Sequence, residues 1–185
     1  MGSFSGDRLV LLAIDDYSLP LKKNLNYYIS TPTVRAEPVI TPNKENPHAT
    51  DDVATHFYGT VLRDNGKFRM WYYGVGWNEK PVDSDIETTK LREGPICYAE
   101  SDDGINWVKP NLGQVMHNGG NDNNAIALPD AKTQGVFVIK DGNDPDPSRR
   151  YKMVYENRPM HDRFMSVRTA TSADGIIWKA GPDAP

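Results

Sequence analysis

Ser101-Asp102-Asp103-Gly104-Ile105-Asn106-Trp107 is matched by Ser172-Ala173-Asp174-Gly175-Ile176-Ile177-Trp178, 71 positions further on. Two other pairs of segments precede these in the same order. Val61-Leu62-Arg63-Asp64 returns as Val138-Ile139-Lys140-Asp141, at an offset of 77. Lys67-Phe68-Arg69-Met70-Trp71-Tyr72 returns as Arg150-Tyr151-Lys152-Met153-Val154-Tyr155, at an offset of 83. Loops of unequal length between conserved strand patterns produce such a drift. A repeat of about 75 residues built from short strands predicts stacked four-stranded antiparallel sheets, the blades of a β-propeller.

The quoted element has a structural logic of its own. Its Asp carboxylate can accept backbone N–H bonds across a turn, its Gly tolerates positive φ, and its Trp can pack between sheets. It reads as a fold element that locates each blade, similar to the Asp-box turn but one residue shorter.

Working outward, His56–Leu62 and Lys67–Tyr73 are strands joined by the hairpin turn Asp64-Asn65-Gly66. Pro95–Glu100 is a third strand and Ile105–Val108 opens a fourth, with Gly74–Gly94 a long charged loop. In the second repeat Val136–Lys140, Tyr151–Tyr155 and Met165–Thr171 are strands, and Ile176–Lys179 opens a fourth. Arg8–Ile14 reads as a buried strand. Five prolines between 17 and 47 argue against a helix there, and leave Tyr27–Ser30 and Val39-Ile40 as short extended pieces. The expectation is an all-β chain: an N-terminal arm (1–47), a first blade (48–117) and a second blade (118–185).

Two blades do not close a ring, since propellers have about four to eight. Open faces and edges of this kind favour self-association. Net charge is −4, with acids and bases interspersed, so the basic stripe that nucleic acid requires is missing. The longest aliphatic run, Leu9–Ile14, is too short for a membrane span or a signal-peptide core. Met1-Gly2-Ser3 resembles a cloning scar, and the compartment stays open, with a native export signal removed as one possibility. The single cysteine, Cys97, excludes an intramolecular disulfide and reads as a packed small hydrophobe.

Several of these strings together carry a family resemblance. Tyr58-Gly59-Thr60-Val61-Leu62-Arg63-Asp64, Phe68-Arg69-Met70-Trp71-Tyr72, the run Ile96–Trp107, Lys109-Pro110-Asn111-Leu112-Gly113, Asp122-Asn123-Asn124 and Arg150-Tyr151-Lys152-Met153 resemble bacterial proteins similar to glycoside hydrolase families 32 and 43. The resemblance implies a five-bladed propeller that cleaves sugars at the mouth of its central channel. It implies two carboxylates about one glycosidic bond, one as nucleophile or base and one as acid. The family's nucleophile position falls on His56 here, and Thr133-Gln134-Gly135 stands where its Arg-Asp-Pro signature would be.

The acids nearest the expected channel are Asp51 and Asp52, the candidate catalytic residues. Neighbours on an extended chain point to opposite faces, so at most one meets substrate; a solvated or turn-capping pair is the competing reading. His48, His56, Tyr58, Trp77, Asn123 and Asn124 are the candidate sugar contacts: imidazoles and amides for hydroxyls, Trp77 as a stacking platform. Two His and two Asp within nine residues invite a metal, but their spacing matches no standard site, and no metal or cofactor is expected. Asp141-Gly142-Asn143-Asp144-Pro145-Asp146 lacks the regular spacing and distant Glu of a calcium loop and reads as a solvated turn. A carbohydrate-active propeller protein is the leading reading, and a non-catalytic carbohydrate-binding or assembly module with the same sheets is the alternative.

Overall fold

A computed structural model describes residues 3–5, 8–10, 23–24, 30–77, 91–129, 133–157 and 166–181. The chain divides into two compact units, Met1–Ala36 and Glu37–Pro185. In the first unit, strands β1 (Ser3–Ser5) and β2 (Arg8–Val10) pair antiparallel. Residues 11–14 and 27–29 of the expected N-terminal strands lie outside the described residues.

The second unit is all-β, with two antiparallel sheets and, among the described residues, no α-helix. Sheet one has β3 (Ala54–Asp64), β4 (Lys67–Trp77) and β5 (Leu91–Ser101) in that order. Sheet two has β6 (Thr133–Lys140), β7 (Tyr151–Asn157), β8 (Ser166–Ser172) and β9 (Lys179–Ala180). Both have the meandering order of propeller blades. In sheet one the fourth position is held by isolated bridges, Glu100 to Val108 and Cys97 to Ala125, so Ile105–Val108 contributes one bridging residue. Strands β4 and β5 take in Gly74–Trp77 and Leu91–Gly94, and so are longer than expected at the expense of the Gly74–Gly94 loop. Val39 and Ile40 belong to no strand, as befits a segment whose flanking Pro38 and Pro42 have no N–H to donate.

Alternation along the strands explains the core. Trp71 pairs with Tyr98 on one face of sheet one, while Met70 pairs with Ala99 and Tyr72 with Cys97 on the other. Trp71, Ile96 and Tyr98 pack with Val136, Val138, Tyr151, Met153 and Tyr155 of sheet two. The opposite face holds a smaller cluster of Met70, Tyr72, Cys97 and Ala99, with Ile40 and Trp107 against it. β4 is therefore buried on both sides. The far face of sheet two stays open: Phe137 and its cross-strand partner Val154 are exposed, as are Ile139 and Val167.

The two repeated turns have the same bonds. Ser101 Oγ accepts from the Gly104 amide at 2.9 Å, and Asp103 Oδ1 accepts from Ile105 and Asn106 at 2.8 and 2.7 Å. Ser172 Oγ accepts from Gly175 at 2.8 Å, and Asp174 Oδ1 from Ile176 and Ile177 at 2.8 and 2.9 Å. Gly104 and Gly175 have φ of 75° and 78°. Each Trp indole donates to the turn glycine's carbonyl at 3.1 Å. These amide bonds hold the Asp103 and Asp174 carboxyls below the usual carboxylate range; for Asp174 they outweigh the opposing effect of burial.

A polar node joins the sheets inside the apolar core. Arg69 donates from Nε to the Tyr98 hydroxyl at 2.6 Å and from Nη1 to the Tyr151 hydroxyl at 2.9 Å. Asp64 accepts from Lys140, Tyr151 and Arg69. Burial alone would raise the Asp64 carboxyl, but these three donors hold it below its ordinary value. The edge strands touch as well, with the Val138 amide donating to Thr60 Oγ1 at 3.0 Å.

Candidate functional site

Residues 48–52 lead into β3 as turn and bend, packed against Tyr72, Gly74 and Cys97 of sheet one, and the two acids diverge. Asp51 is fully buried. Its Oδ2 accepts from the Tyr72 hydroxyl at 2.7 Å and from Lys109 Nζ at 2.5 Å, while Oδ1 has no hydrogen-bond partner. Burial, with Cys97 and Asp51 close by, pushes the Tyr72 phenol well above its ordinary value. Burial, reinforced by the Asp51 charge, pushes the Cys97 thiol up to about 12. Cys97 is thus an inert packed group, as its setting in the sequence suggests.

Asp52 is half-buried and lines an open cleft with Lys44, Val53 and Trp77. Its Oδ1 accepts from the Trp77 amide at 3.1 Å, fixing the carboxylate against the end of β4. A Cβ on Gly76 would lie 2.8 Å from that oxygen, so the close approach requires glycine. The Trp77 residue is 46% exposed, enough to offer its ring to a ligand.

The other candidates fall elsewhere. His48 Nδ1 lies 2.9 Å from the Asn118 carbonyl, with Gly120 packed close to its ring. His56 is exposed on β3, its ring stacked on Tyr58 with centroids 6.0 Å apart and tilted against Tyr73. His56 lines a cavity with Pro38, Ile40, Met70 and Tyr72, while Tyr58 lines a groove with Phe137 and Val154. Asn123 and Asn124 are buried, and their amides donate within the fold: Asn123 to the Val115 carbonyl at 2.8 Å, Asn124 to Tyr72 Oη at 2.8 Å and the Tyr98 carbonyl at 2.7 Å. Of the eight candidates, the structure therefore brings Asp52 and Trp77 to one cleft.

No cluster of three potential metal ligands occurs among the described residues. The Asp141–Asp146 stretch is a run of side-chain-capped turns, with Asp141 Oδ1 accepting from the Asn143 amide and Asp144 Oδ1 from the Asp146 amide. Lys152 pairs with both Asp141 and Asp144 there. Among the described residues no helix is long and apolar enough to cross a membrane.

Sequence reading missed Lys109 and Tyr72 as partners of Asp51. No local pattern links positions 58 residues apart. It also missed the Asp64–Arg69 node, although the repeat carries a trace of it, since Asp141 and Lys152 occupy the matching positions and pair as well.

No protein-family model matches the chain. It is 28% identical over 143 residues to the uncharacterised protein Rv1502 of Mycobacterium tuberculosis strain H37Rv, and equally to MT1551 of strain CDC 1551. Each match covers 77% of this chain and 38% of the relative, so the chain spans under two fifths of the length of these relatives. Among solved structures, one similar fold is a glycosyl hydrolase from Bacteroides ovatus, with a TM-score of 0.50 and 17% identity. That match covers 79% of this chain and 38% of the other. A second comes from a study of the GH130 family of mannoside phosphorylases and of its glycoside hydrolases that target β-1,2 mannosidic linkages in Candida mannan. Its TM-score is 0.52 at 19% identity, covering 80% of this chain and 39% of the other. The fold of this chain is thus shared with part of glycoside hydrolase-like proteins.

Proposed function

We propose that this chain forms two blades of a carbohydrate-active propeller of the glycoside hydrolase type, and that sugar binds at the cleft formed by Asp52 and Trp77. The observation that carries this reading is the pairing of a carboxylate with an exposed indole in one cleft. An indole face stacks on the apolar face of a pyranose, while a carboxylate beside it accepts from hydroxyls or assists bond cleavage. The shared fold with glycoside hydrolase-like proteins adds support at the level of architecture. A five-bladed ring and kinship with families 32 and 43 belong to the same proposal.

In this scheme Asp52 acts as base or nucleophile. Asp51, held by Tyr72 and Lys109, anchors the turn that presents it. Hydrolysis needs a second carboxylate across the bond, at about 5–5.5 Å for retention and about 6.5–9.5 Å for inversion. A non-catalytic sugar-binding module is the second reading, favoured by the burial of Asp51, which leaves one acid of the pair at the cleft. In either case the open apolar face of sheet two is proposed to support self-association.

The test is turnover of a broad panel of glycosides by the parent chain and by Asp52→Asn. A loss of about 10²–10⁴ in rate on substitution supports the hydrolase reading. Saturable sugar binding with no turnover selects the binding module, and turnover indifferent to Asp52→Asn removes Asp52 from the chemistry.

A further inference from the structure

Two separate cavities lie on the face of sheet one that points away from sheet two. One is lined by Thr41, Pro42, Asn43, Trp107 and Lys109. The other is lined by Pro38, Thr55, His56, Met70 and Tyr72. They share a wall, since Val39 and Ile40 line both. The segment making that wall belongs to no strand and is half-buried at most. Three bonds of residues 38–43 tie it down: Lys109 Nζ donates to the Thr41 carbonyl at 2.5 Å, Thr55 Oγ1 to the Ile40 carbonyl at 3.5 Å, and the Asn43 amide to the Asp51 carbonyl at 3.3 Å. Two of the three are long, and one apolar side chain, Ile40, packs against the Met70–Tyr72–Cys97–Ala99 cluster. Segments with few buried contacts and few ladder bonds open well below the free energy of global unfolding.

We propose that residues 38–43 form a displaceable strap, and that lifting it merges the two cavities into one continuous groove across sheet one. The opened groove has Trp107 at one end and His56 at the other, with Met70 and Tyr72 on its floor. Lys109 is the latch: one ammonium holds both the strap, through the Thr41 carbonyl, and the floor, through Asp51. Opening frees Lys109 from Thr41 while its bond to Asp51 persists.

The Asn43 amide reports on this motion, because its bond to the Asp51 carbonyl breaks when the strap lifts. The experiment measures hydrogen exchange of that amide by NMR under native conditions, in the parent chain and in Ile40→Ala, each paired with a urea-unfolding midpoint. The strap predicts exchange of the Asn43 amide in the parent faster than global unfolding allows, and a further acceleration of about tenfold in Ile40→Ala, larger than the shift in the midpoint accounts for. Exchange that tracks global unfolding in both proteins overturns the proposal.

Discussion

Arg69 Nη2 donates to the backbone carbonyl of Asp174, 105 positions further along the chain, at 2.6 Å. The neighbouring Trp71 indole donates to the Gly175 carbonyl at 2.9 Å. The repeated turn of sheet two is thereby fastened to the middle strand of sheet one. The turn both closes its own sheet and docks that sheet on its neighbour. Arg69 is surrounded by Trp71, Tyr98 and Tyr151 rings, each with its centroid 5.1–5.3 Å from the guanidinium carbon.

Replacing Arg69 by Met leaves Asp64 and the Asp174 carbonyl without that donor in a buried setting. The expected loss is about 3 kcal/mol of unfolding free energy, read from urea denaturation. Arg69→Lys recovers little, because a single ammonium cannot reach Tyr98, Tyr151, Asp64 and Asp174 together. Full stability in Arg69→Met would show that the node contributes nothing.

The same node sets an acid limit. The Asp64 carboxyl is depressed in the folded state, so its stabilisation is present above the ordinary value of 3.8 and is lost as pH falls below it. Stability of the parent should therefore decline through the region below pH 3.8, with a contribution from Asp174 in the same direction. Asp64→Asn should be less stable at neutral pH and show a shallower decline in acid. An unchanged acid slope in that variant would assign the decline to other groups.

Gly59, Gly74 and Gly135 stand where strand register shifts, and the first and last of them should behave oppositely. Gly59 lies in the bulge between His56 and Thr60, where an added Cβ would come within 2.0 Å of the Trp71 carbonyl oxygen. Gly135 lies between Gln134 and Val136 with open space around it. Gly59→Ala should cost about 3 kcal/mol or more, because backbone must move. Gly135→Ala should remain within about 0.5 kcal/mol of the parent by thermal or urea melts. Equal effects would mean that the first bulge is more pliable than its geometry indicates.

The open face of sheet two makes a prediction about solution state. Phe137 is 61% exposed and lines one groove with Val154 and Val167. Concentration-dependent sedimentation is expected for the parent, with Phe137→Lys shifting it toward monomer at unchanged secondary structure. A parent that is monomeric at high concentration would leave the patch without a self-association role.

The repeat was legible because each unit writes the same turn chemistry in sequence: Ser, Asp, Gly and Trp at fixed spacing, with alternating apolar strands before it. The turn at Asn65-Gly66 was legible for the same reason, as both residues adopt positive φ. The incomplete fourth position of sheet one was not legible. Ile105–Val108 has strand-like residues, yet the tertiary partner of Cys97 is Ala125, from the far end of a long excursion. At the candidate site, Asp51 and Asp52 lie in turn and bend before β3, so strand alternation is not what separates them. Which one turned inward depends on Lys109 and Tyr72. Asn123 and Asn124 read as sugar contacts from their amides and their place before the second repeat, whereas those amides are engaged with Val115, Tyr72 and Tyr98. Side-chain chemistry identifies what a group can bind, and only packing decides whether it is free to do so.

Asp52 and Trp77 are proposed to form a sugar cleft. Titration calorimetry of the parent and of Trp77→Ala against a panel of oligosaccharides tests it most directly. We predict saturable binding to at least one oligosaccharide, weakened about tenfold by Trp77→Ala through loss of ring stacking. Binding of equal affinity in both proteins, or no binding to any member of the panel, would contradict it.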